Sequence, residues 1–476
     1  MANRFKDYDD EVRDAVLDFE NTVLQGRNQF FDTEELEIII DYYLETSDLD
    51  RLEAAVRYAE GLYPSSNSIR LRRAHLYSAR NQFDRALDIL LQLERVEPDN
   101  TDVAYALGAV YSMLDHPDQA IRYYRKASAD GYELGTVNGN IADEYYKLGR
   151  LNEAIMYYKK ALAADPANEN AMLNLLDTYA EAGQADKSAD YFKRMVEREP
   201  YSKLAWYCLG CSYYDLGLAE KAIDALEYAI AIDKTYFDAY MCMADCYEDT
   251  NNHASAVECL RRSLDYAEHK ETVYCSIGII YMRAGNYDTA MLYLKQAEQA
   301  ATANPEAASY FLADLYSAQA DCYRALNEYY LAAQSAAAAL SLTADPGRIL
   351  RFLGSLHEEH GDSEQAAKMY LSAIEREPDT DDNWTAYIDF LLRAGRYDEA
   401  IDYTLQAAAS ATDQLPFDLR FAVEYFKTGR RNYLFNAINA CLADDPEAGR
   451  QLLEICPEMA DDPEVLNLLH PQKPTV

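Results

Sequence analysis

The chain has 476 residues, 82 of them acidic and 44 basic, for a formal net charge of −38. A field of that sign repels phosphate. It argues against a nucleic-acid backbone or an anionic membrane surface as partner, and for a basic or neutral protein segment. Nine cysteines are scattered without the close spacing of a disulfide framework, which points to a reducing compartment, the cytoplasm.

The opening stretch MANRFKDYDDEVRDAVLDFE carries acids throughout and has no apolar core of signal-peptide length; no later stretch approaches a membrane-spanning run. Residues 1–32 are expected to form an N-terminal cap. Residues 9–24 read as a charged amphipathic helix with Val12, Val16, Leu17 and Phe19 available for burial. Asp32, with Glu35 three residues on, is a capping-box-like start to the next helix.

From residue 33 the chain repeats itself. The clearest copy is 135–166, two short amphipathic helices joined by a tight turn, with Ile141, Ala142 and Tyr145 on one stripe and Ala154, Tyr158 and Ala161 on the other. Adding or subtracting 34 finds further copies at 33, 67, 101, 169, 203, 237 and 271; after an eight-residue insertion the series resumes at 313, 347, 381 and 415. Tyrosine recurs at repeat position 11 (Tyr77, Tyr111, Tyr145, Tyr179), alanine at position 20 (Ala86, Ala120, Ala154, Ala222) and proline at position 32 (Pro64, Pro98, Pro166, Pro200). Position 15 is the stereochemical test. It holds glycine, asparagine or aspartate in every copy but the first, and these residues enter the left-handed region that ends a helix most easily. Only Ser47 departs.

With aromatic residues at position 4 (Trp206, Trp384) and Leu-Gly at 7–8 (Leu107-Gly108, Leu209-Gly210, Leu353-Gly354), the chain resembles the tetratricopeptide repeat family over about nine-tenths of its length. The resemblance implies an all-α fold, a right-handed solenoid superhelix of stacked antiparallel helix pairs. The expected division is a cap at 1–32, about twelve repeats over 33–448, and closing helices with a short tail over 449–476. The insertion at 300–312 is expected to lengthen a helix that breaks near Pro305. The closing segment reads as two short helices separated by Pro457, and residues 471–476 as loose tail.

In this family the first helix of each repeat lines a concave groove. Position 9 of those helices holds Asp41, Asp143, Asp177, Asp245, Asp321 and Asp389, a broken acidic row suited to Lys or Arg side chains of an extended peptide, with Asp215 and Glu248 adding to it. Asn140 and Asn174 share position 6, where in some family members an asparagine holds the backbone of a bound peptide. Tyr105, Tyr146, Tyr207 and Tyr214 would add apolar contact. The basic clamp that some members use for C-terminal carboxylates is absent, since Leu204 and Cys208 stand where it would need cations. The expectation is therefore a non-catalytic scaffold that binds a protein or peptide in its groove, with no cofactor, self-association remaining open. Its alternative is an acidic chaperone-like partner for a basic client; a third reading has the acids serving only solubility.

Chemistry has few footholds. Cys208 and Cys211 form a CxxC, with Cys242 and Cys275 on the next two repeats, but there is no second CxxC to complete a zinc set. His357 and His360 are three apart rather than the four a zinc-protease helix needs, so no catalytic and no metal-binding residue is assigned.

Overall fold

A computed structural model describes residues 10–27, 29–129, 133–303, 309–411 and 413–469. Among them every regular element is a helix, and none is long and apolar enough to cross a membrane. Twelve helix pairs follow the sequence repeat, from Thr33–Glu45 with Leu49–Leu62 to Leu415–Lys427 with Arg431–Asp444. The chain divides into two compact units, Met1–Cys246 and Tyr247–Val476. Each unit is a solenoid stack in which a helix pair packs on the next.

Backbone chemistry sets the repeat. Position 15 has positive φ in all twelve copies, from Ser47 at 55° to Gly361 at 84°. Ser47 adopts it against its own preference. The reason is visible one residue later. The amide of position 16 reaches back to the carbonyl of position 11 in every copy, as in Asp48 to Tyr43 (3.0 Å), Arg150 to Tyr145 (2.9 Å) and Arg430 to Tyr425 (2.8 Å). This satisfies a carbonyl that the helix end would otherwise orphan, and it holds the turn whatever the side chain. The other ends of several first helices are capped by side chains. Asp32 and Glu35 form the reciprocal box at 2.8 Å each way, and Ser66, Asn100, Asn168 and Ser202 accept from amides three residues on.

Packing within a pair depends on small residues. Ala86, Ala120, Ala154 and Ala222 at position 20 are fully buried. At position 8, a Cβ on Gly108 would stand 2.6 Å from the Tyr124 ring, and one on Gly210 2.6 Å from Leu226. Position 24 thus presses directly on the position-8 backbone. The two tryptophans fasten successive repeats: Nε1 of Trp206 donates to the Pro200 carbonyl at 2.9 Å, and Nε1 of Trp384 to that of Pro378 at 2.7 Å.

At the start of the first unit, helix Asp10–Asn21 buries Val16 and Phe19 against Ile39, Ile40 and Tyr43, while Val12 and Leu17 are half-buried. In the second unit, helix Tyr287–Ala303 runs to 17 residues where its counterparts have 11 to 14, so the insertion does extend a helix. The break near Pro305 and the tail at 471–476 lie outside the described residues. After the last repeat come helix Ala448–Ile455, a 3-10 turn at Pro457–Asp461 and helix Pro463–Leu469. Met459 in that turn is fully buried beside Leu452 and Val465, which ties it into the closing core.

Candidate functional site

The first helices of the fourth and fifth repeats, Leu134–Lys147 and Glu169–Glu181, bring four of the sequence-derived candidates together. Asp143, Tyr146, Asn174 and Asp177 line one pocket of about 230 Å³, joined by Lys147, Tyr158 and Thr178. Helical periodicity explains the grouping. Positions 9 and 12 of one helix and 6 and 9 of the next fall on the same side of two neighbouring first helices.

These residues are not equivalent. Asp143 Oδ1 accepts from the Tyr158 hydroxyl at 2.5 Å and from Asn174 Nδ2 at 3.1 Å. Burial pushes its carboxyl above the usual range, partly opposed by those two donors. Asp177 has neither partner. It is exposed, no hydrogen bond or ion pair reaches it from the described residues, and partial desolvation alone raises its carboxyl. Tyr146 is 41% exposed, its hydroxyl drawn toward Glu181. Below them Glu144 is buried; it accepts from Ser112 Oγ at 2.6 Å and from Lys147 Nζ at 2.7 Å, leaving Oε2 without a partner. The pocket therefore offers one free carboxylate, one exposed aromatic edge and a fixed Asp143–Asn174 pair.

The other position-9 acids divide in the same way. Asp41 accepts from Arg72 at 3.1 and 2.6 Å, and Asp389 from Arg420 at 2.8 and 2.6 Å. Both arginines stand at position 6 of the next repeat. The expected row of six like carboxylates is thus partly neutralised from within. Asp321 is exposed, its carboxyl raised by desolvation against the pull of Arg324 and Arg348. Asp245 is exposed and has interactions of its own. Asp215 is exposed and raised by desolvation, whereas Glu248 faces His253 Nδ1 at 2.6 Å and Arg283 at 3.6 Å.

The asparagines do not form a free ladder either. Asn140 donates to the Tyr105 hydroxyl at 3.2 Å, and Asn174 is committed to Asp143. Tyr207 is half-buried, edge-on to Tyr236 at 5.3 Å, and Tyr214 is half-buried with contacts of its own.

The sulfur groups are core and near-core. Cys208 and Cys275 are buried, while Cys211 and Cys242 bring their Sγ atoms to 3.6 Å. No cluster of three or more metal-ligating side chains occurs among the described residues. His357 Nδ1 meets the Tyr329 hydroxyl at 2.7 Å, and His360 stacks on the Tyr329 ring at 3.8 Å, so both histidines pack on one tyrosine.

Tyr158 and Lys147 escape a reading by sequence alone. Tyr158 holds the aromatic packing position of its helix, and only its hydroxyl betrays a second role. Lys147 lies one residue past position 12, the last groove position of its helix.

Tetratricopeptide repeat models match residues 71–133, 145–207, 204–236, 237–270, 271–304 and 353–416. No curated protein matches the chain. Among solved structures, a crystal structure of MamA protein is 32% identical over 36% of this chain and 93% of its own, with a TM-score of 0.30. A tetratricopeptide repeat protein from Parabacteroides merdae ATCC 43184 is 16% identical over 56% of this chain and 98% of its own, TM-score 0.39. YrrB, described as a TPR protein with an unusual peptide-binding site, is 23% identical over 39% of this chain and 95% of its own, TM-score 0.31.

Proposed function

The chain belongs to the tetratricopeptide repeat family, and from that premise we propose that it recognises a basic or neutral segment of a cytoplasmic partner protein on its first-helix face. Stacked helix pairs of this kind are protein-interaction scaffolds, typically non-catalytic. The observation that carries the finer reading is the pocket of Asp143, Tyr146, Asn174 and Asp177. Its free Asp177 carboxylate would take a lysine or arginine of the bound segment, and exposed Tyr146 the aliphatic stem of that side chain. Asp143 and Asn174 present a fixed polar pair to the segment's backbone. Asp245 would extend the contact to a further repeat of the same unit, and Tyr207 and Tyr214 would add apolar area. In the second unit Asp321 would be the acid open to a ligand, while Asp389 serves its own arginine first.

The second reading, an acidic chaperone for a basic client, draws on the net charge of −38. The two differ in what they require of single residues. Partners captured from lysate by wild type and by Asp143→Asn/Asp177→Asn/Asp245→Asn, at two salt concentrations, tell them apart. Groove recognition expects one or a few partners lost on mutation. A broad set of basic proteins, released by salt and indifferent to the substitutions, would overturn it in favour of bulk charge.

A further inference from the structure

We propose that the second helices of the fourth and fifth repeats carry a separate docking site, for a short acidic segment of a partner protein. Its centre is a groove of about 210 Å³ between helices Leu151–Ala164 and Ala185–Arg198, where Lys159, Arg194 and Arg198 surround buried Leu162 and Met195. Glu199 is the one acid that lines it.

With 82 acidic residues to 44 basic, cations in this chain readily find carboxylates, as Arg72 finds Asp41 (2.6 Å), Arg80 finds Glu53 (2.5 Å) and Arg420 finds Asp389 (2.6 Å). No carboxylate pairs with Lys159, Arg194 or Arg198 among the described residues; Arg194 Nε instead donates to the Asp190 carbonyl at 3.0 Å. Lys159 Nζ lies 5.0 Å from the Tyr179 ring centroid and 5.2 Å from that of Tyr191, an aromatic seat in place of a counter-ion. Burial, then the neighbouring charges of Arg194 and Lys187, pull its ammonium below the usual lysine range. Lys159 therefore feels its cationic neighbours more than any acid.

The repeat extends the pattern. Arg125, Lys159 and Lys193 share position 25 in three consecutive repeats, and exposed Lys160 and Arg194 follow at position 26. Arg125 is held in place by the Tyr145 hydroxyl (2.5 Å) and the Tyr157 hydroxyl (3.2 Å), neither of which cancels its charge. On the far side of helix Ala185–Arg198 a second groove of about 290 Å³ pairs Lys193 and Lys221 with Trp206 and Tyr228, against the acids Glu197 and Asp224. Trp206 and Tyr228 stack at 4.5 Å, and Tyr228 is 57% exposed. The chemistry fits carboxylates in the first groove and one large apolar side chain in the second.

Charge also decides the class of occupant. Screening confines an exposed patch to about 8 Å at physiological ionic strength. A few carboxylates can sit within that radius, whereas a long phosphate polymer would run out over the surrounding acidic surface. The cations belong to second helices, whereas Asp177 stands on a first helix, so the site can be tested independently of the Asp177 pocket.

The test is fluorescence anisotropy of the whole protein with a short labelled glutamate-rich peptide containing one tryptophan. Wild type should bind it. Lys159→Gln/Arg194→Gln/Arg198→Gln should lose about tenfold or more in affinity, equivalent to about 1.4 kcal/mol, and Asp177→Asn should lose none. Arg198→Glu, a change at one exposed side chain, should weaken binding in a protein whose circular dichroism and melting match wild type. Failure of the peptide to bind at low salt would overturn the proposal. So would equal binding by the triple variant, or displacement of the peptide by an oligonucleotide of the same charge at lower concentration.

Discussion

Asp143 and Asn174 lie 31 residues apart and meet at 3.1 Å, Nδ2 of the asparagine donating to Oδ1 of the aspartate. The same offset joins Asp41 to Arg72, Asp389 to Arg420 and Cys211 to Cys242. Position 9 of one repeat thus faces position 6 of the next, and what stands at position 6 decides whether a position-9 acid is available. Arginine neutralises it, asparagine fixes it, and Cys208 opposite Asp177 leaves it free.

That rule separates two substitutions that look alike in sequence. Asp143→Asn removes the charged acceptor of Tyr158 and Asn174 and should cost about 1–2 kcal/mol of stability. Asp177→Asn should change stability by no more than about 0.5 kcal/mol while weakening a basic ligand. Chemical denaturation measures the first and peptide titration the second. If the two stability losses were equal, the assignment of Asp177 as the free member would be wrong.

Because desolvation raises the carboxyls of both Asp143 and Asp177, the charged form of this pocket is lost at higher pH than for ordinary exposed acids. Binding of a basic peptide should therefore begin to weaken, as pH falls, before the usual aspartate range near about 4 is reached. A titration of affinity against pH checks it; Asp177→Asn should remove most of the dependence.

Glu424 is fully buried at position 10 of the last repeat, with Thr404 Oγ1 donating to Oε1 at 2.6 Å and Oε2 unpartnered. Burial raises its carboxyl to about 7, against the weaker opposing pulls of Thr404 and Arg420. The folded state then holds a proton that the unfolded chain releases near about 4.5. Stability from this group is highest below that value and falls as pH rises toward 7, by up to about 3 kcal/mol. Glu424→Gln should flatten the slope and raise the melting temperature of the second unit at pH 8. A lower melting temperature there would sink the assignment.

The turn of the first repeat offers a gain. Ser47 holds φ 55° because the Asp48 amide must reach the Tyr43 carbonyl. Ser47→Gly removes the Cβ penalty and should stabilise by about 1 kcal/mol. Gly210→Ala should do the reverse by about 1–3 kcal/mol, since its Cβ would stand 2.6 Å from Leu226. Thermal melts of the two variants should move in opposite directions.

The architecture is legible in the sequence because it is written in backbone stereochemistry: a residue tolerant of positive φ every 34 positions, and alanine or glycine where two helices touch. The site is legible only as a set of positions. Periodicity puts Asp143, Asn174 and Asp177 on one side, yet it says nothing of which neighbour sits 31 residues away and what its side chain reaches. Six aspartates at one repeat position therefore read as a uniform row, and Arg72 and Arg420 escape notice as their counter-ions. Tyr158 is hidden for a related reason. Its ring is a packing residue and its hydroxyl is a site residue, and a pattern of apolar spacing records only the ring.

The chain's two tryptophans fall one in each compact unit, Trp206 in the first and Trp384 in the second, each with its indole N–H pinned to the proline carbonyl at a repeat junction. The protein is in effect labelled twice by its own sequence. With Trp384→Phe the indole emission reports only on the first unit, and with Trp206→Phe only on the second. Opening of a single junction then becomes an optical signal, separable from its counterpart against a background of 41 tyrosines.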